Sequence, residues 1–566
     1  MYKEITDVAA KVLSSEFGIK DTSIFWNTPR ERGRGDLSTT VALELGKKLK
    51  KKPLEIAETL SKALAKSSLI EKAEAVAPGY VNITLTPTAL LKELNRTREA
   101  QTAKVAKKNA KPVIVDYSSP NIAKPLGIHH ILSTIIGQAV CNVQMHQGTP
   151  VVRWNYMGDW GTQFGKLAVA YKKWGSDKPV ADYSIDELLS LYVKFHDAAE
   201  KDVSLEEQAR AAFQLLEEGD ATARAFWSDV VAVTKQSLKK IYDRLGVAFD
   251  VEIGESFYED KMQSIVEEGK KKNVFMEGEK GALIAKFDEA SGMPPAVIVK
   301  GDGSTLYHTR DLALVRHRIE EWHAEAIFYV VDVAQMLHFK QLFAIEAQLA
   351  WDLPKQEHIA FGRMRFADGS MSTRKGNILK LEEVLNEAVK RADAIIQERG
   401  DAIQSDDPKE LAEMMGIGAI VYGILSQNRK MDMVFDWGKM LSFEGNSAPY
   451  LQYTHARTRS ILRKAEMESC DLPEKIETLT EKERLLIGTL LRFSDVLQDA
   501  LEQHMPHKIA NYLYELCQDY NAFYTSEPIL KAPEPERALR IALTSFTAGV
   551  LKTGATLLTL RVPDRM

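Results

Sequence analysis

The sequence predicts a multidomain chain in which a parallel α/β domain, split by a helical insertion, lies between an N-terminal α+β domain and a C-terminal all-α helix bundle. Strand, loop and helix alternate after Pro112 and again after Ala326, which is typical of a parallel sheet. Polar helices interrupt this alternation between the two stretches. After Pro408 the apolar residues recur at steps of three and four, as they do in a helix bundle.

The N-terminal unit is predicted over residues 1–105. Apolar residues recur at helical spacing from Leu54 to Leu64, and Pro78-Gly79 separates two extended segments as a turn would. The stretch from Gln101 to Lys111 is rich in Lys and Ala and has little periodicity, so we interpret it as a linker.

The α/β domain is predicted in two halves, residues 106–175 and 251–365. Short strands are expected at Pro112–Asp116, Pro150–Trp154, Ala326–Val331 and near His358–Ala360. Helices are expected to start near Ile128, after Gly161 and near His338. A sheet of this kind binds its ligand at the carboxyl ends of the strands.

Helices are predicted for the insertion, residues 176–250. Ser184 with Glu187, and Ser204 with Glu207, fit the capping box, in which a hydroxyl and a carboxylate satisfy the free N–H groups of a first helical turn. Beyond the α/β domain, residues 366–445 are predicted to hold a loop and connecting helices, and residues 446–566 a helical domain.

Composition excludes several classes of protein. The 566 residues, 45% hydrophobic and 27% charged, suit a chain with several cores and a polar surface. No run of about 18 apolar residues occurs, so no membrane span is expected. Cys141, Cys470 and Cys517 lie far apart and form no CxxC pair, so we expect no tightly bound metal, no disulfide framework and a cytoplasmic location.

Basic residues are concentrated near the N-terminus although the net charge is -5. The basic run consists of Arg30, Arg32, Arg34, Lys47, Lys48, Lys50, Lys51 and Lys52. Local patches, more than net charge, decide whether a large protein binds nucleic acid. A solvated helix end would show the same charges. The run alone therefore leaves both interpretations open.

The segment Ser118-Ser-Pro-Asn-Ile-Ala-Lys-Pro-Leu-Gly-Ile-His-His130 lies between a predicted strand and a predicted helix, where N–H groups and the helix dipole favour anions. Asn121 offers an amide to a carboxylate or an amine, and Lys124 offers a point charge to phosphate. His129 and His130 can donate to phosphate oxygens as charge develops. A structural loop with incidental histidines would explain the His pair alone, but the whole string at this junction favours an anion site.

A second segment, Met371-Ser-Thr-Arg-Lys-Gly-Asn377, has the composition of a phosphate-binding loop. Its hydroxyls and its two cations suit a mobile loop that clamps a triphosphate, and Gly369 and Gly376 supply the freedom to move. Many surface loops have a similar composition, so this signal is weak by itself.

The third segment is Tyr307-His-Thr-Arg-Asp-Leu-Ala313. The four-residue step places Tyr307 and Asp311 on one face of a predicted helix start. A carboxylate there is able to accept two parallel N–H bonds from a guanidinium. The alternative is that Asp311 simply stabilises the helix N-terminus. Gln335, beyond the next predicted strand, would reach the same cleft.

These segments carry a family resemblance. The first resembles the ATP-site signature of class I aminoacyl-tRNA synthetases in the form peculiar to arginyl-tRNA synthetases, Ser-Pro-Asn-Ile-Ala-Lys-Pro before a His-X-Gly-His tetrad. Met371 to Lys375 is similar to the second class I signature, Lys-Met-Ser-Lys-Ser. Further strings resemble arginyl enzymes, in order along the chain: Gly35–Thr39 and Pro78–Asn82 (an appended tRNA-binding domain), Asn155–Gly165, Tyr307–Ala313, Gln335–Phe343, and Ser447–Tyr453, His455–Arg457 and Pro563–Met566 (a helical anticodon-binding domain).

The resemblance implies a Rossmann-like catalytic domain and a role for each matching residue. The α-amino and carboxylate end of arginine would contact Ser119, Asn121 and His130, and its side chain would contact Tyr307, Asp311 and Gln335. ATP and its leaving pyrophosphate would contact Pro120, Lys124, Gly127, His129, His130, Met371, Ser372, Thr373, Arg374 and Lys375. Of these, the catalytic residues would be Lys124, His129, His130, Ser372, Arg374 and Lys375. The tRNA would contact the basic run and Tyr453, Arg457 and Met566.

In many members of the family the second Lys of Lys-Met-Ser-Lys-Ser is missing, and a Lys just before the tetrad is thought to substitute for it. Thr373 stands at that position here and Lys124 is present, so the two observations agree. Members of the family also generally need bound tRNA before they activate arginine.

The tetrad itself departs from the pattern, because the chain has Gly127-Ile-His-His130. Gly127 stands where the first His is expected, and His129 stands where a Gly would let adenine lie against the backbone. His129 is either a displaced substitute for the missing His or an obstruction to adenine. A smaller departure is Thr559, where the family usually has Gly.

The resemblance implies an arginine–tRNA ligase, an enzyme that forms arginyl-adenylate, AMP and diphosphate from L-arginine and ATP with Mg²⁺ and passes arginine to the 3′ end of tRNA(Arg). We expect a monomer. One alternative is a synthetase-like RNA-binding protein that no longer activates an amino acid, which only the altered tetrad supports. Another is a class I enzyme for cysteine or glutamate, which Tyr307 and Asp311 and the lack of Cys/His metal ligands disfavour.

Overall fold

The structure is a computed structural model that describes residues 2–20, 22–27, 29, 33–102, 110–366, 379–400 and 403–566. Within these residues no helix is both long and apolar enough to cross a membrane.

The N-terminal domain pairs four helices with a small antiparallel sheet of order β1-β3-β2. Its elements are α1 (Tyr2–Phe17), β1 (Leu37–Thr39), α2 (Val41–Leu49), α3 (Pro53–Leu64), β2 (Ile70–Val76), β3 (Tyr80–Leu85) and α4 (Pro87–Thr102). Gly35, at φ 96°, precedes β1, and a Cβ there would lie 2.7 Å from the carbonyl oxygen of Ile83 on β3. Only glycine lets the chain approach β3 this closely with that backbone angle.

The α/β domain begins with β4 (Val113–Asp116), α5 (His130–His146), β5 (Val151–Met157) and α6 (Thr162–Trp174). The insertion follows as α7 (Ile185–Ala199), α8 (Ser204–Glu217) and α9 (Ala221–Leu245). The second half comprises β6 (Val251–Gly254), α10 (Met262–Lys271), β7 (Phe275–Glu277), β8 (Leu283–Ala285), β9 (Ala296–Val299), α11 (Tyr307–Trp322), β10 (Ala326–Tyr329), α12 (Met336–Gln348), β11 (Lys355–His358) and β12 (Met364–Phe366).

The central sheet has the strand order β11-β10-β4-β5-β6, and every pair in it is parallel. Asp116, the last residue of β4, lies in register with Tyr329 of β10 and Trp154 of β5. The chain runs outward from β4 to β6 and then returns to β10 on the other side of β4. The crevice between β4 and β10 is thus the topological switch point, where open α/β sheets bind their ligands.

The predicted parallel sheet is confirmed, with three differences in detail. The strand near His358 is Lys355–His358, slightly earlier than predicted. β6 was not predicted, because its four residues alternate in burial and show no apolar run. A three-stranded antiparallel sheet of order β7-β8-β9 in the second half was not predicted either.

One of the two predicted capping boxes in the insertion is present. The Ser184 side chain accepts the N–H of Glu187, whose carboxylate accepts the N–H of Ser184. The prediction for Ser204 is wrong, because Ser204 is already inside α8 and its backbone N–H and hydroxyl both donate to Asp202. A carboxylate two residues earlier has taken the place of the Ser hydroxyl as the local acceptor.

The C-terminal half is mostly helical. Its elements are α13 (Leu381–Arg399), α14 (Pro408–Leu425), β13 (Met433–Phe435), α15 (Trp437–Met440), α16 (Ala448–Lys464), α17 (Glu481–Leu491), α18 (Phe493–Gln503), α19 (Pro506–Ser526) and α20 (Glu536–Leu557). The prediction of helices throughout this region is wrong at β13, which pairs in parallel with β12. Phe435 of β13 stacks on Phe366 of β12 at 4.9 Å between ring centres. Pairing with β12, which is distant in the sequence, thus makes this segment a strand.

The N-terminal domain docks on the C-terminal bundle through Arg484 of α17. Its guanidinium donates to Asp36 Oδ2 at 3.2 Å and to the carbonyl oxygen of Leu85 at 2.9 Å, and it pairs with Glu71. Arg98 of α4 adds a second contact, donating to Asp471 and to the carbonyl of Cys470. The two ends of the chain therefore share one interface.

Candidate active site and tRNA-binding surfaces

A cavity of about 430 Å³ opens at the carboxyl ends of the parallel strands. Its lining residues come from the ends of β4, β5, β6 and β10 and from α11 and α12: Asp116, Ser119, Asn121, Tyr156, Gly158, Glu255, Tyr307, Asp311, Leu314, Val315, Tyr329, Val331, Gln335, His338, Phe339 and Leu342. Five of the six residues predicted to bind arginine lie in this lining. The sixth, His130, lies outside it, at the start of α5.

The loop after β4 is shaped by hydrogen bonds to its neighbours. Ser119 has a positive φ of 48°, and its N–H donates to Asn155 Oδ1 at 3.1 Å while its hydroxyl donates to Asp116 Oδ1 at 3.0 Å. A Cβ on Gly158 would collide with Oδ1 of Asn121. The glycine therefore allows the Asn121 amide to lie against the end of β5, facing the cavity.

Helix α11 brings Tyr307 and Asp311 to the opposite wall, as their four-residue spacing predicts. Tyr307 is the first residue of the helix and is 67% exposed. Asp311 Oδ2 lies 2.6 Å from Nε2 of His338 on α12, which belongs to the Gln335–Phe343 string but was given no role from the sequence. The one-turn helix before α12 carries Gln335 to the same wall.

Asp116 forms a buried ion pair with Arg318, at 2.5 Å between Oδ2 and the guanidinium. Arg318 is 0% exposed and lies 4.5 Å above the ring of Trp154 and 5.6 Å from that of Tyr329. Burial raises the pKa of the Asp116 carboxyl, and the charge of Arg318 opposes that rise. The pair joins β4 to α11, the elements that carry Ser119 and Asp311.

Glu255 is a cavity residue that was not predicted from the sequence. It follows β6 directly, and burial raises its pKa to about 7, with Arg310 at 3.5 Å opposing the rise and Asp311 adding to it. Asp159 fixes the turn, because its carboxylate accepts the N–H and the hydroxyl of Ser256. An acid directly after a parallel strand is a recognisable signal, but it requires β6 to be recognised first.

The cavity also contains an unpartnered polar atom. The hydroxyl of Tyr156 is buried and has no hydrogen-bond partner among the described residues, although the ring lines the cavity. A buried hydroxyl without a partner is costly, so a ligand that supplies one is favoured. On the far side of the cavity, the Tyr329 hydroxyl donates to the side chain of Gln356, which also contacts Glu346. Burial raises the pKa of Glu346 to about 8.

The segment from Leu126 to Ile128 runs beside the chain that follows the predicted phosphate loop. Ile128 N–H donates to the carbonyl of Leu379, and Leu381 N–H donates to the carbonyl of Leu126. The loop residues Met371, Ser372, Thr373, Arg374 and Lys375 lie outside the described residues. The structure thus brings the chain that follows the loop, from Leu379 onward, to the first signature.

Both histidines of the tetrad lie at the N-terminus of α5, with their ring centres 4.0 Å apart. Nδ1 of His130 accepts the N–H of Gly127 at 3.0 Å, and burial lowers the His130 pKa to about 4. The same Nδ1 lies 3.2 Å from the carbonyl oxygen of Gly127, so the tautomer of the ring decides which of these two backbone groups it bonds. Part of the His129 side chain is exposed, but partial burial of its ring lowers its pKa, and the charge of Asp332 opposes the change.

The side chain of Lys124 points towards the insertion. Its ammonium lies 4.9 Å from the centre of the Tyr192 ring on α7. Pro120 is buried, and its carbonyl accepts the N–H of Gly158.

A second pocket, of about 170 Å³, lies in the C-terminal bundle and contains all three residues predicted there to bind tRNA. Arg457 lies between the rings of Tyr453 and Tyr524, 4.8 Å from each centre. Met566 closes the pocket beside Arg565. Exposed aromatic faces next to cations suit stacking with unpaired bases.

Much of the basic run is on the surface of the N-terminal domain. Lys47 and Lys48 lie in the last turn of α2, and Lys50, Lys51 and Lys52 form the exposed link to α3. Lys51 packs 5.0 Å from the centre of the Phe17 ring. Arg34 is exposed, and Arg30 and Arg32 lie outside the described residues.

Known protein families match the chain from end to end. Residues 2–85 match the arginyl-tRNA synthetase N-terminal domain, residues 93–437 match the catalytic domain of class I tRNA synthetases (R), and residues 451–566 match the DALR anticodon-binding domain.

Similar curated proteins and solved structures cover the same length. An arginine–tRNA ligase of Fusobacterium nucleatum is 39% identical over 100% of this chain and 99% of its own length. One from Clostridium perfringens is 38% identical, with coverage of 92% and 93%. The arginyl-tRNA synthetase structure of Thermus thermophilus superimposes with a TM-score of 0.79 at 26% identity, covering 100% of both chains.

The Asp116–Arg318 pair generates a prediction about stability. Arg318→Met leaves a buried carboxylate without its cation and should lower the free energy of unfolding by about 3–5 kcal/mol. Adding Asp116→Asn removes the unpaired charge and should restore part of that loss. Urea unfolding midpoints measure both effects. A double variant no more stable than Arg318→Met would contradict this role of the pair.

Proposed function

The chain belongs to the arginyl-tRNA synthetase family of class I aminoacyl-tRNA synthetases and is an arginine–tRNA ligase, and we propose how its residues perform the reaction. Its substrates are L-arginine, ATP and tRNA(Arg). The observation that carries the residue assignments is the acid-lined cavity at the switch point of the sheet, which holds Tyr307, Asp311 and Glu255 together.

The guanidinium of arginine binds between Asp311 and Glu255 in this proposal. A planar guanidinium matches a carboxylate through two parallel N–H bonds, which an ammonium cannot form. Gln335 and the unpartnered hydroxyl of Tyr156 offer further acceptors in the same cavity. Tyr307, exposed in the free enzyme, covers the substrate from the mouth.

The α-amino and carboxylate end of arginine lies towards the loop after β4. Ser119 and Asn121 line the cavity on that side and offer polar contacts. His130 lies further along the same loop, so we propose that it acts where the carboxylate meets ATP. This arrangement points the reacting carboxylate towards the N-terminus of α5.

ATP lies along the first signature and the loop that ends beside it. A carboxylate oxygen of arginine attacks the α-phosphorus, the bond from that phosphorus to the bridging oxygen breaks, and pyrophosphate leaves with the electron pair. Lys124, His129 and His130, with Ser372, Arg374 and Lys375, stabilise the charge on the phosphates, while Pro120, Gly127, Met371 and Thr373 shape the nucleotide site. This work is positioning and charge stabilisation, without a covalent enzyme intermediate.

Mg²⁺ enters with the nucleotide in this proposal. Mg²⁺ is commonly held by substrate phosphates, waters and at most one or two carboxylates. Asp332, next to His129 at the end of β10, is a carboxylate within the described structure that would face such an ion.

The tRNA contacts the protein at three places in this proposal. A ribose hydroxyl of its terminal adenosine attacks the arginyl carbonyl in the cavity, and AMP leaves. The bases of the anticodon loop stack in the pocket of Tyr453, Arg457 and Met566, and the basic run contacts phosphates. Because one chain carries all three surfaces, we propose a monomer, which acts in the cytoplasm together with tRNA.

Asp311→Asn tests the guanidinium contact. Loss of a buried charge partner should lower kcat/KM for arginine by about 2–5 kcal/mol of transition-state stabilisation, mainly through KM. Pyrophosphate exchange in the presence of tRNA measures this. Lysine should be a poor substrate, and equal activation of lysine and arginine by the unaltered enzyme would sink the assignment.

The role of Glu255 predicts a pH dependence. Because the pKa of Glu255 is about 7, raising the pH ionises its carboxyl group. The guanidinium binds the carboxylate more tightly than the protonated acid. The KM for arginine should therefore fall about tenfold from about pH 6 to pH 8. Glu255→Gln should raise the KM and flatten its pH profile. Glu346 titrates nearby at about 8, so Glu346→Gln is the control and should keep the slope.

The basic run predicts the salt dependence of tRNA binding. Changing Lys47, Lys48, Lys50, Lys51 and Lys52 to Gln should reduce the slope of log affinity against log salt, by about 0.7–0.9 for each phosphate that the variant no longer neutralises. Lys270→Gln with Lys271→Gln, at the exposed end of α10, is a matched control and should leave the slope as it is. An unchanged slope in the five-fold variant would mean that the run is only a solvated face.

The altered tetrad is tested by a pair of variants. If His129 substitutes for the missing His, His129→Gly should lower kcat of pyrophosphate exchange by roughly 10–1000-fold, the scale for losing a transition-state donor. Adding Gly127→His should then restore activity by rebuilding the usual tetrad. Higher activity or tighter ATP binding in His129→Gly would identify His129 as an obstruction instead.

A further inference from the structure

The insertion reaches the nucleotide side of the site through Lys124. This lysine follows Ala123, which has a positive φ of 64° and whose N–H donates to Thr234 Oγ1 at 3.1 Å. Thr234 lies on α9 and is fully buried. The backbone that carries Lys124 is therefore held by the insertion as well as by the central sheet.

The side chain of Lys124 is held by the insertion too. Its ammonium lies 4.9 Å from the centre of the Tyr192 ring, and no carboxylate pairs with it among the described residues. A carboxylate at this place would cancel the charge of the lysine and repel an incoming triphosphate. An aromatic face holds a cation without adding a formal negative charge. The contact is thus suited to keeping a lysine available for phosphate.

Tyr192 is itself fixed in orientation. Its ring meets that of His196, one turn later on α7, edge to face at 4.6 Å between centres. The N-terminal end of α7 is tied to the other side of the nucleotide site, because Asp186 pairs with Lys380 at 2.8 Å. Lys380 lies directly beside Gly127 in an isolated antiparallel bridge. One helix of the insertion therefore contacts both chain segments that flank the nucleotide.

We propose that Tyr192 is a positioning residue for arginine activation: its ring holds the Lys124 ammonium at the edge of the nucleotide site and stays in contact with it while the lysine binds the triphosphate. The inference rests on the proposed role of Lys124 at phosphate. The inference gives the insertion a role in the chemical step, because its residue Tyr192 positions Lys124.

The test is a double-mutant cycle measured by pyrophosphate exchange with tRNA present. Lys124→Ala should lower kcat by about 100–1000-fold, as for other phosphate-directed donors. Tyr192→Leu should lower kcat by about 3–30-fold with little change in the KM for arginine, which is the range for removing one cation–π interaction. Tyr192→Phe keeps the ring face and should restore most of the lost rate. In the Lys124→Ala background, Tyr192→Leu should have no further effect.

A matched control uses another cation on the same helix. Lys194 lies 5.3 Å from the centre of the Trp174 ring, away from the site. Lys194→Ala should keep the parental kcat, which shows that removing a cation–π interaction on α7 is not harmful in general.

The outcomes separate the inference from its premise. An unchanged kcat in Lys124→Ala removes the phosphate role of Lys124, and the inference with it. A strong defect in Lys124→Ala together with equal rates for Tyr192→Leu and Tyr192→Phe leaves the role of Lys124 intact and overturns the inference. An additive loss in the double variant also overturns it, since Tyr192 then acts through folding or another interaction.

Discussion

The buried ion pair between Asp116 and Arg318 is the contact on which the geometry of the arginine cavity depends. Asp116 ends β4 and orients the Ser119 loop, while Arg318 lies on α11 seven residues after Asp311, hence on the same face of the helix. This one ion pair thus sets the distance between the two walls of the cavity, which in the proposed function hold the two ends of arginine. Trp154 and Tyr329 pack against the guanidinium, so three neighbouring strands share in fixing it.

Each of three acidic side chains that line the cavity contacts a basic or histidine side chain. Asp116 pairs with Arg318, and Glu255 pairs with Arg310. Asp311 contacts Nε2 of His338. Burying carboxylates is costly unless they are paired, so these resident partners allow the cavity to exist before a substrate arrives. The charge of Arg310 compensates Glu255 only in part, since burial still raises its pKa to about 7. In the proposed function, the remaining negative charge attracts the guanidinium of arginine.

The sequence predicts the parts of this site that local chemistry encodes. Tyr307 and Asp311 share a helix face through their spacing, and Asn121 follows a strand in a recognisable string, so both walls could be anticipated. Glu255 could not, because β6 has only four residues and no apolar run, too little for a strand to be recognised before the sheet is assembled. The orientation of Lys124 towards Tyr192 depends on the packing of a helix far along the chain, and β13 depends on β12. Contacts between distant segments are what single-sequence patterns do not contain.

Arg484 has a consequence for how strongly an extended ligand is held. By joining the N-terminal domain to the C-terminal bundle, it helps to set the span between the described lysines of the basic run and the pocket of Arg457. In the proposed tRNA complex, an RNA bound at one of these places meets the second at a high effective concentration. Two weak contacts then act with the avidity of a bivalent binder, and an RNA whose two contact regions are spaced differently loses that advantage at once. In the proposed tRNA complex, the spacing of the two surfaces therefore favours an RNA of matching length as well as of matching chemistry.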